Sequence, residues 1–314
     1  MIEAVNELIN KYEKITILTH LNPDADTLGT ALGIYGILKN SGKQVEVVNQ
    51  GVNLPRHLDF LSNFSKVKQK IDYSNSLIVT CDTGSIDRVG FDLSGREILN
   101  IDHHKSNTHF GTLNVVDPLA VSASQVAYVL FKNNYSITKE ISTCFYTALV
   151  ADTQYFTTNN VSRQVFELAS EMMRDGVDIY EVMCNIKQRR SLASIRILSS
   201  SLDTLLLDEN GRLAIMCATR EKMLASGANI IDTVGIVDYG ISLVTVKIAI
   251  VLIELENSIR VSMRSKKVDV SALAIGFGGG GHKNAAGFEL KNIRKDELLE
   301  MIRKEINKIG LLDA

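Results

Sequence analysis

The stretch Glu97-Ile98-Leu99-Asn100-Ile101-Asp102-His103-His104 decides the fold. Its apolar run reads as a buried strand, and it ends in an acid followed by two imidazoles. In an open parallel sheet, chemistry collects at the carboxyl ends of the strands. Two adjacent histidines after an aspartate, at such an end, suggest a metal ligand beside a group that handles a proton or contacts a phosphate. Taken alone, Asp-His-His is equally a polar strand-to-loop turn. Its meaning depends on what else in the chain ends the same way.

Several segments do. Lys14 to His20 reads as a strand and runs into Leu21-Asn22-Pro23-Asp24-Ala25-Asp26, where Asn-Pro breaks regular structure. A helix is predicted from about Thr27 to Lys39, then a strand over Gln44–Val48. Leu77–Cys81 is another strand, ending at Asp82. Val5, Leu8, Ile9 and Tyr12 have helical spacing before the first strand. Strands alternating with helices predict an α/β domain, a parallel sheet with helices on both faces. From 122 to 187 the pattern is helical, with candidates at 123–133, 139–151, 162–174 and 178–187. Residues 191–205 read as a helical connector. A turn at Leu207–Gly211 opens a second, smaller α/β unit, with strands at 212–217, 243–254 and 258–263 and helices near 220–226 and 295–307. The expected organisation is a first domain at 1–188, a linker at 189–206 and a second domain at 207–314.

The bulk properties agree. A chain of 314 residues suits two domains, and 45% hydrophobic with 22% charged residues describes an ordinary soluble protein. A net charge of only -2 argues against tracking long duplex nucleic acid. A polyanionic partner is expected to be small and gripped by a local basic pocket. Cys81, Cys144, Cys184 and Cys217 show no paired spacing, which fits a reducing compartment and argues against a thiolate zinc site. Cys81, inside a strand pattern, reads as a core thiol. With no signal peptide and no apolar run long enough to span a bilayer, a cytoplasmic protein without membrane contact is expected.

The chemistry lies in four motifs: His20-Leu21-Asn22-Pro23-Asp24-Ala25-Asp26, Cys81-Asp82-Thr83-Gly84, Asp102-His103-His104 and Val150-Ala151-Asp152-Thr153. Each has a bland reading as a cap or turn; Asp24 is a turn former, and Asp26 or Thr27 an N-cap. Strand ends of one parallel sheet lie side by side, however, so the groups converge. In an extended turn, residues two apart point the same way, so Asp24 and Asp26 are expected to face one pocket with His20. His20, Asp24, Asp26, Asp82, His103 and Asp152 then place four carboxylates and two imidazoles together. Such carboxylates repel and take up protons unless cations compensate. Two divalent ions would offset them. Ligands without thiolate suit manganese, magnesium or iron better than structural zinc. A pair of ions is a clamp for phosphoryl hydrolysis.

This series of acids around Asp-His-His resembles the DHH phosphoesterase family. The resemblance implies that His20, Asp24 and Asp82 hold one manganese. Asp26, Asp82, His103 and Asp152 would hold the other, with Asp82 bridging and magnesium a substitute. It implies catalytic roles for Asp82, His103 and His104, with His104 at the substrate phosphate or the leaving oxygen. Asp102 would orient the histidines. Gly276-Phe277-Gly278-Gly279-Gly280-Gly281-His282-Lys283-Asn284-Ala285-Ala286-Gly287 is a tight turn or an anion cradle, and not a Walker loop. With Val261-Ser262-Met263-Arg264-Ser265 it resembles the DHHA1 substrate-binding domain. That implies phosphate contacts from Arg264, Ser262, His282 and the amides of Gly279, Gly280 and Gly281, in a cleft between the domains. Arg88 is either a further phosphate contact or a solvated arginine. His57 and His109 read as surface or loop histidines, and Arg189-Arg190 as a solvated patch.

The compact two-domain form resembles the oligoribonuclease/pAp-phosphatase (nanoRNase) type. That implies hydrolysis of very short RNAs, of linear dinucleotides such as pApA, or of 3′-phosphoadenosine 5′-phosphate (pAp), by hydroxide attack assisted by two metals. The alternatives are a soluble phosphodiesterase for cyclic or linear dinucleotides and a non-catalytic nucleotide-binding regulator. A homodimer is compatible with either.

Overall fold

A computed structural model describes residues 1–51 and 54–312, and the last two positions of the expected second domain lie outside it. The chain divides into two units, Met1–Arg189 and Arg190–Ala314.

The first unit begins with α1 (Ile2–Asn10), β1 (Lys14–Leu18), α2 (Ala25–Asn40), β2 (Gln44–Val48), β3 (Val67–Lys68), β4 (Leu77–Cys81), β5 (Ile98–Asp102) and β6 (Leu113–Val116). It continues through α3 (Ala123–Phe131), α4 (Lys139–Asp152), α5 (Arg163–Arg174) and α6 (Ile179–Gln188). The strand order is β3-β2-β1-β4-β5-β6, and every neighbouring pair is parallel. Every residue of β4 and β5 is buried, as their continuous apolar sequences require. The chain order reverses between β1 and β4, so the loops leaving these strands open the crevice where α/β sheets place their ligands.

The two faces of this sheet differ. Ile15, Ile17, Val47, Leu77, Val79, Leu99 and Ile101 join the helices in the main core. The opposite face is built by Leu18, Val48, Ile78 and Ile98 with Val89, Leu93, Phe91 and Phe110. Among the described residues the cover there comes from the 3-10 turn Ile86–Val89 and loops, and the α-helices expected on both faces pack on the other one. That face is also polar. Glu46, 2% exposed, accepts from Thr16 Oγ1 at 2.8 Å and from the amides of Asp72 and Tyr73 at 3.1 and 3.0 Å.

Three glycines set how α2 meets α4. A Cβ on Gly29 would stand 2.5 Å from the Cys144 carbonyl oxygen; on Gly33, 2.7 Å from the Phe145 ring; on Gly36, 2.8 Å from Ile141 Cγ1. These glycines lie on one side of the helix. As α2 advances its partners in α4 recede, so the helices are antiparallel. The first turn of α2, with Asp26, is therefore level with the last turn of α4, with Asp152.

The second unit contains α7 (Leu192–Leu202), β7 (Leu206–Asp208), β8 (Leu213–Ala218), α8 (Arg220–Ser226), α9 (Ile236–Ile241), β9 (Ile248–Glu254) and β10 (Ser258–Ser265). It ends with α10 (Val270–Gly276), β11 (Gly280–His282), β12 (Ala285–Lys291) and α11 (Lys295–Lys308). Its sheet runs β11-β12-β10-β9-β8-β7, antiparallel except for β8 and β9. One face packs on α10 and α11, the other on α7, α8 and α9. The expected connector is α7; its Ile197 and Leu198 are part of this unit's core. The strand expected from 243 starts at Ile248, because α9 and a turn with Val246 N donating to Leu243 O take up the preceding residues.

The glycine run is a β-hairpin, with Gly280 opposite Gly287 and His282 opposite Ala285. Gly278 and Gly281 have φ of 79° and 142°, and Phe277 stacks on Phe288 at 4.5 Å between centroids. Gly281 is needed for packing, since a Cβ there would stand 2.5 Å from the Ala285 carbonyl oxygen. Gly280 is not, as no described atom lies within 4 Å of the same position.

Candidate metal centre

The centre forms at the carboxyl ends of β1, β4 and β5. Asp24 is the N-cap of α2; its Oδ1 accepts from the amides of Asp26 and Thr27 at 3.0 and 3.1 Å. Its Oδ2 lies 3.8 Å from His20 Nε2, so the cap also faces the site. Asp26 lies in the first turn of α2, 3% exposed, with Oδ2 accepting from Ala123 N at 2.7 Å and Oδ1 from Ser124 N at 3.1 Å. These donors belong to the N-terminus of α3, where amides have no partner within the helix. The extended-turn expectation for Asp24 and Asp26 is therefore corrected. Helical backbone at Asp26 turns the two carboxylates toward different halves of one cluster.

Asp82 follows β4 with a left-handed φ of 55°, uncommon for a non-glycine and typical of functional turns. Its amide donates to Ile101 O at 3.0 Å, which ties the loop to β5. Its Oδ2 lies 3.6 Å from His20 Nε2 and its Oδ1 3.5 Å from His103 Nε2. His103 Nδ1 is 3.3 Å from Ala120 O, and its Nε2 also faces Asp26 Oδ2 at 3.8 Å and Asp152 Oδ2 at 3.6 Å. The ligand atoms thus form two triads, His20–Asp24–Asp82 and Asp26–His103–Asp152, each within 4.8 Å. Asp82 touches both.

His104 Nδ1 is 2.7 Å from Asp102 Oδ1 and 3.5 Å from Asp82 Oδ1. Asp102 is wholly buried, and its other oxygen accepts from Asn107 Nδ2 at 2.5 Å. Both oxygens of Asp102 are thus within hydrogen-bond distance of side-chain nitrogens, from His104 and Asn107.

The electrostatics show a deficit of positive charge. Burial, reinforced by the charge of Asp82, pushes Asp26 up to about 7. Burial and Asp26 push Asp152 well above the carboxylate range. Burial alone would lower His20, yet Asp24 and Asp82 raise it to about 9. Burial likewise opposes the rise of His103, which Asp82 and Asp26 carry to about 10. Asp82 stays well below its ordinary value despite burial, because His103 and His20 face it.

The donors fit divalent metal. Imidazole–carboxylate separations of 3.5 to 3.8 Å across the two triads are long for hydrogen bonds and suit ligands sharing an ion. Asp82 Oδ1 is buried without a hydrogen-bond partner. Cys81 beside it is buried, with its thiol pushed well up by burial, so no soft ligand competes.

Arg88 is exposed on the 3-10 turn, and its carbonyl accepts from Leu21 N at 2.8 Å. Arg264 and Ser262 share one face of β10, opposite Ala285 and Gly287; Arg264 Nε lies 3.2 Å from Asp238 Oδ1 of α9. His282 is exposed on β11. His109 is exposed and His57 half-buried. Arg189 is not simply solvated: it grips Asp59 at 2.6 and 3.2 Å. The α3 amides and Asn107 carry no sequence signal beyond the Ser122 cap and a polar residue shortly after His104.

Residues 14–149 match the DHH family, N-terminal domain, and residues 223–308 the DHHA1 domain. The chain is 31% identical over 307 residues to the bifunctional oligoribonuclease and PAP phosphatase NrnA of Thermus thermophilus, covering 95% of this chain and 92% of that one. It is 25% identical over 287 residues to the Bacillus subtilis protein of the same name, covering 89% and 90%. An exopolyphosphatase-related protein from Bacteroides fragilis has the same fold, with a TM-score of 0.89, 24% identity and coverage of 100% and 97%. No helix among the described residues is long and apolar enough to cross a membrane.

Proposed function

The chain belongs to the DHH family, in the form that also carries a DHHA1 domain, and from that premise we propose that it hydrolyses phosphoester bonds in very short oligoribonucleotides, in linear dinucleotides such as pApA and in pAp. The observation that carries this reading is the pair of ligand triads meeting at Asp82, whose Oδ1 is buried without a hydrogen-bond partner.

His20, Asp24 and Asp82 would hold one divalent cation; Asp26, Asp82, His103 and Asp152 the other. Hard oxygen donors with imidazole favour manganese, with magnesium as a substitute. Two such ions supply charge neutralisation at phosphorus and a water acidic enough to react near neutral pH. His104, gripped at Nδ1 by Asp102, would contact the phosphate or give a proton to the leaving oxygen. On the second unit, Arg264, Ser262, His282 and the amides of Gly279, Gly280 and Gly281 would hold the rest of the substrate. A guanidinium suits bidentate phosphate contact, and there a phosphate would replace the Asp238 carboxylate. The activities named for the Thermus and Bacillus relatives support the substrate class.

The test is a panel of diadenylate, short RNA, pAp, a cyclic dinucleotide and pyrophosphate, each with manganese. Turnover of diadenylate and pAp is expected. Cleavage of the cyclic compound alone would favour a cyclic-dinucleotide phosphodiesterase, and activity confined to pyrophosphate would reject the proposal.

A further inference from the structure

We propose that Asn107 is a positioning residue for the reaction, acting through Asp102 on His104; this rests on the hydrolase reading above. Asn107 is 8% exposed and is a node between two strand-end loops. Its Nδ2 donates to Asp102 Oδ2 at 2.5 Å and to Thr83 O at 3.2 Å. Its Oδ1 accepts from His109 N at 2.7 Å, and its own amide donates to His104 O at 3.1 Å. Thr83 follows Asp82, so one side chain ties the loop after β4 to the loop after β5.

The arrangement has a chemical consequence. A carboxylate with no exposure keeps its orientation only if both oxygens are held. Asp102 Oδ1 grips His104 Nδ1 at 2.7 Å, and Asn107 grips the other oxygen. Without that donor Asp102 can rotate, and the imidazole loses its fixed plane. Supporting residues of this kind typically cost about 10- to 100-fold when removed. Asn107 hydrogen-bonds none of the proposed metal ligands itself, its partners being Asp102, Thr83, His104 and His109, so the loss should fall on turnover and not on metal.

The experiment compares Asn107→Ala and Asn107→Asp in the wild-type and His104→Ala backgrounds, reading kcat, KM, bound metal, melting temperature and the His104 ring nitrogen resonances. Asn107→Asp keeps the acceptor for His109 but loses the donations to Asp102 and to Thr83 O. Both variants should lower kcat about 10- to 100-fold with KM and metal content unchanged, and shift the His104 Nδ1 resonance. In His104→Ala, either should have almost no further effect. An equal loss in both backgrounds, loss of metal, or an unmoved resonance would overturn the proposal. An inactive wild-type enzyme would instead sink the hydrolase reading and leave the resonance arm to decide the role of Asn107.

Discussion

Gly29 in α2 faces the carbonyl oxygen of Cys144 in α4 so closely that an added Cβ would stand 2.5 Å from it. This contact brings the two helices together and sets Asp26 level with Asp152 around the His103 imidazole. The backbone oxygen of a buried helix cannot turn aside as a side chain end could. Gly29→Ala is therefore expected to force α2 and α4 apart, at a cost of about 1–3 kcal/mol. Metal should bind more weakly at the triad shared by Asp26, His103 and Asp152. Thermal unfolding and metal titration check both effects; an alanine variant with unchanged melting and affinity would contradict the argument.

Metal binding should be linked to protons. In the metal-free protein His20 and His103 are raised to about 9 and about 10, and Asp26 to about 7, so near pH 7.5 both imidazoles are charged. A ligating imidazole must be neutral and a ligating carboxylate ionised, so binding expels roughly two protons from the imidazoles and further ones from Asp152 and Asp26, and affinity rises with pH. Calorimetry in buffers of different ionisation enthalpy measures this, and no net proton release would contradict it.

Stability of the metal-free form should change in the opposite sense. A histidine raised above its unfolded value contributes stability that is full below about 6.5 and is lost as pH rises through 9 to 10. Asp26, raised from 3.8 to about 7, adds loss over that lower window. Metal-free protein should therefore melt lower at pH 9 than at pH 6, and added metal should remove much of that difference.

The glycines of the second unit separate binding from folding. Gly280 has open space where a Cβ would sit, whereas Gly281 has φ 142° and would meet Ala285 O at 2.5 Å. Gly280→Ala should melt like wild type yet raise KM several-fold, because a methyl group blocks approach to the backbone amide. Gly281→Ala should lower the melting temperature. Arg264→Ala should raise KM with metal content unchanged; an unaltered KM would remove Arg264 from the site.

Much of the first unit is legible in the sequence, for a local reason. β4 and β5 are continuous apolar runs, and each stops at an acid. A parallel sheet then brings Asp82 and His103 together without any knowledge of side-chain contacts. Asp152 is less legible, because its place depends on the antiparallel approach of α4 to α2 through three glycines. The separate directions of Asp24 and Asp26 depend on where the helix begins, a matter of one or two residues. β6 is a half-buried strand at the sheet edge with a polar centre, and α9 is too short for its periodicity to show. The hairpin at Gly280–His282 looks like a loop because glycine carries no strand pattern. Asn107 is invisible for another reason: its importance lies entirely in which atoms it touches.

In the proposed centre these acids and imidazoles coexist because two divalent cations lie among them, both touching Asp82. Anomalous diffraction from crystals soaked in manganese tests it most directly. Two peaks are expected, one bound by His20, Asp24 and Asp82 and the other by Asp26, Asp82, His103 and Asp152, with both lost or severely weakened in Asp82→Ala. No peak at either triad, or two peaks that persist undiminished without the Asp82 carboxylate, would contradict it.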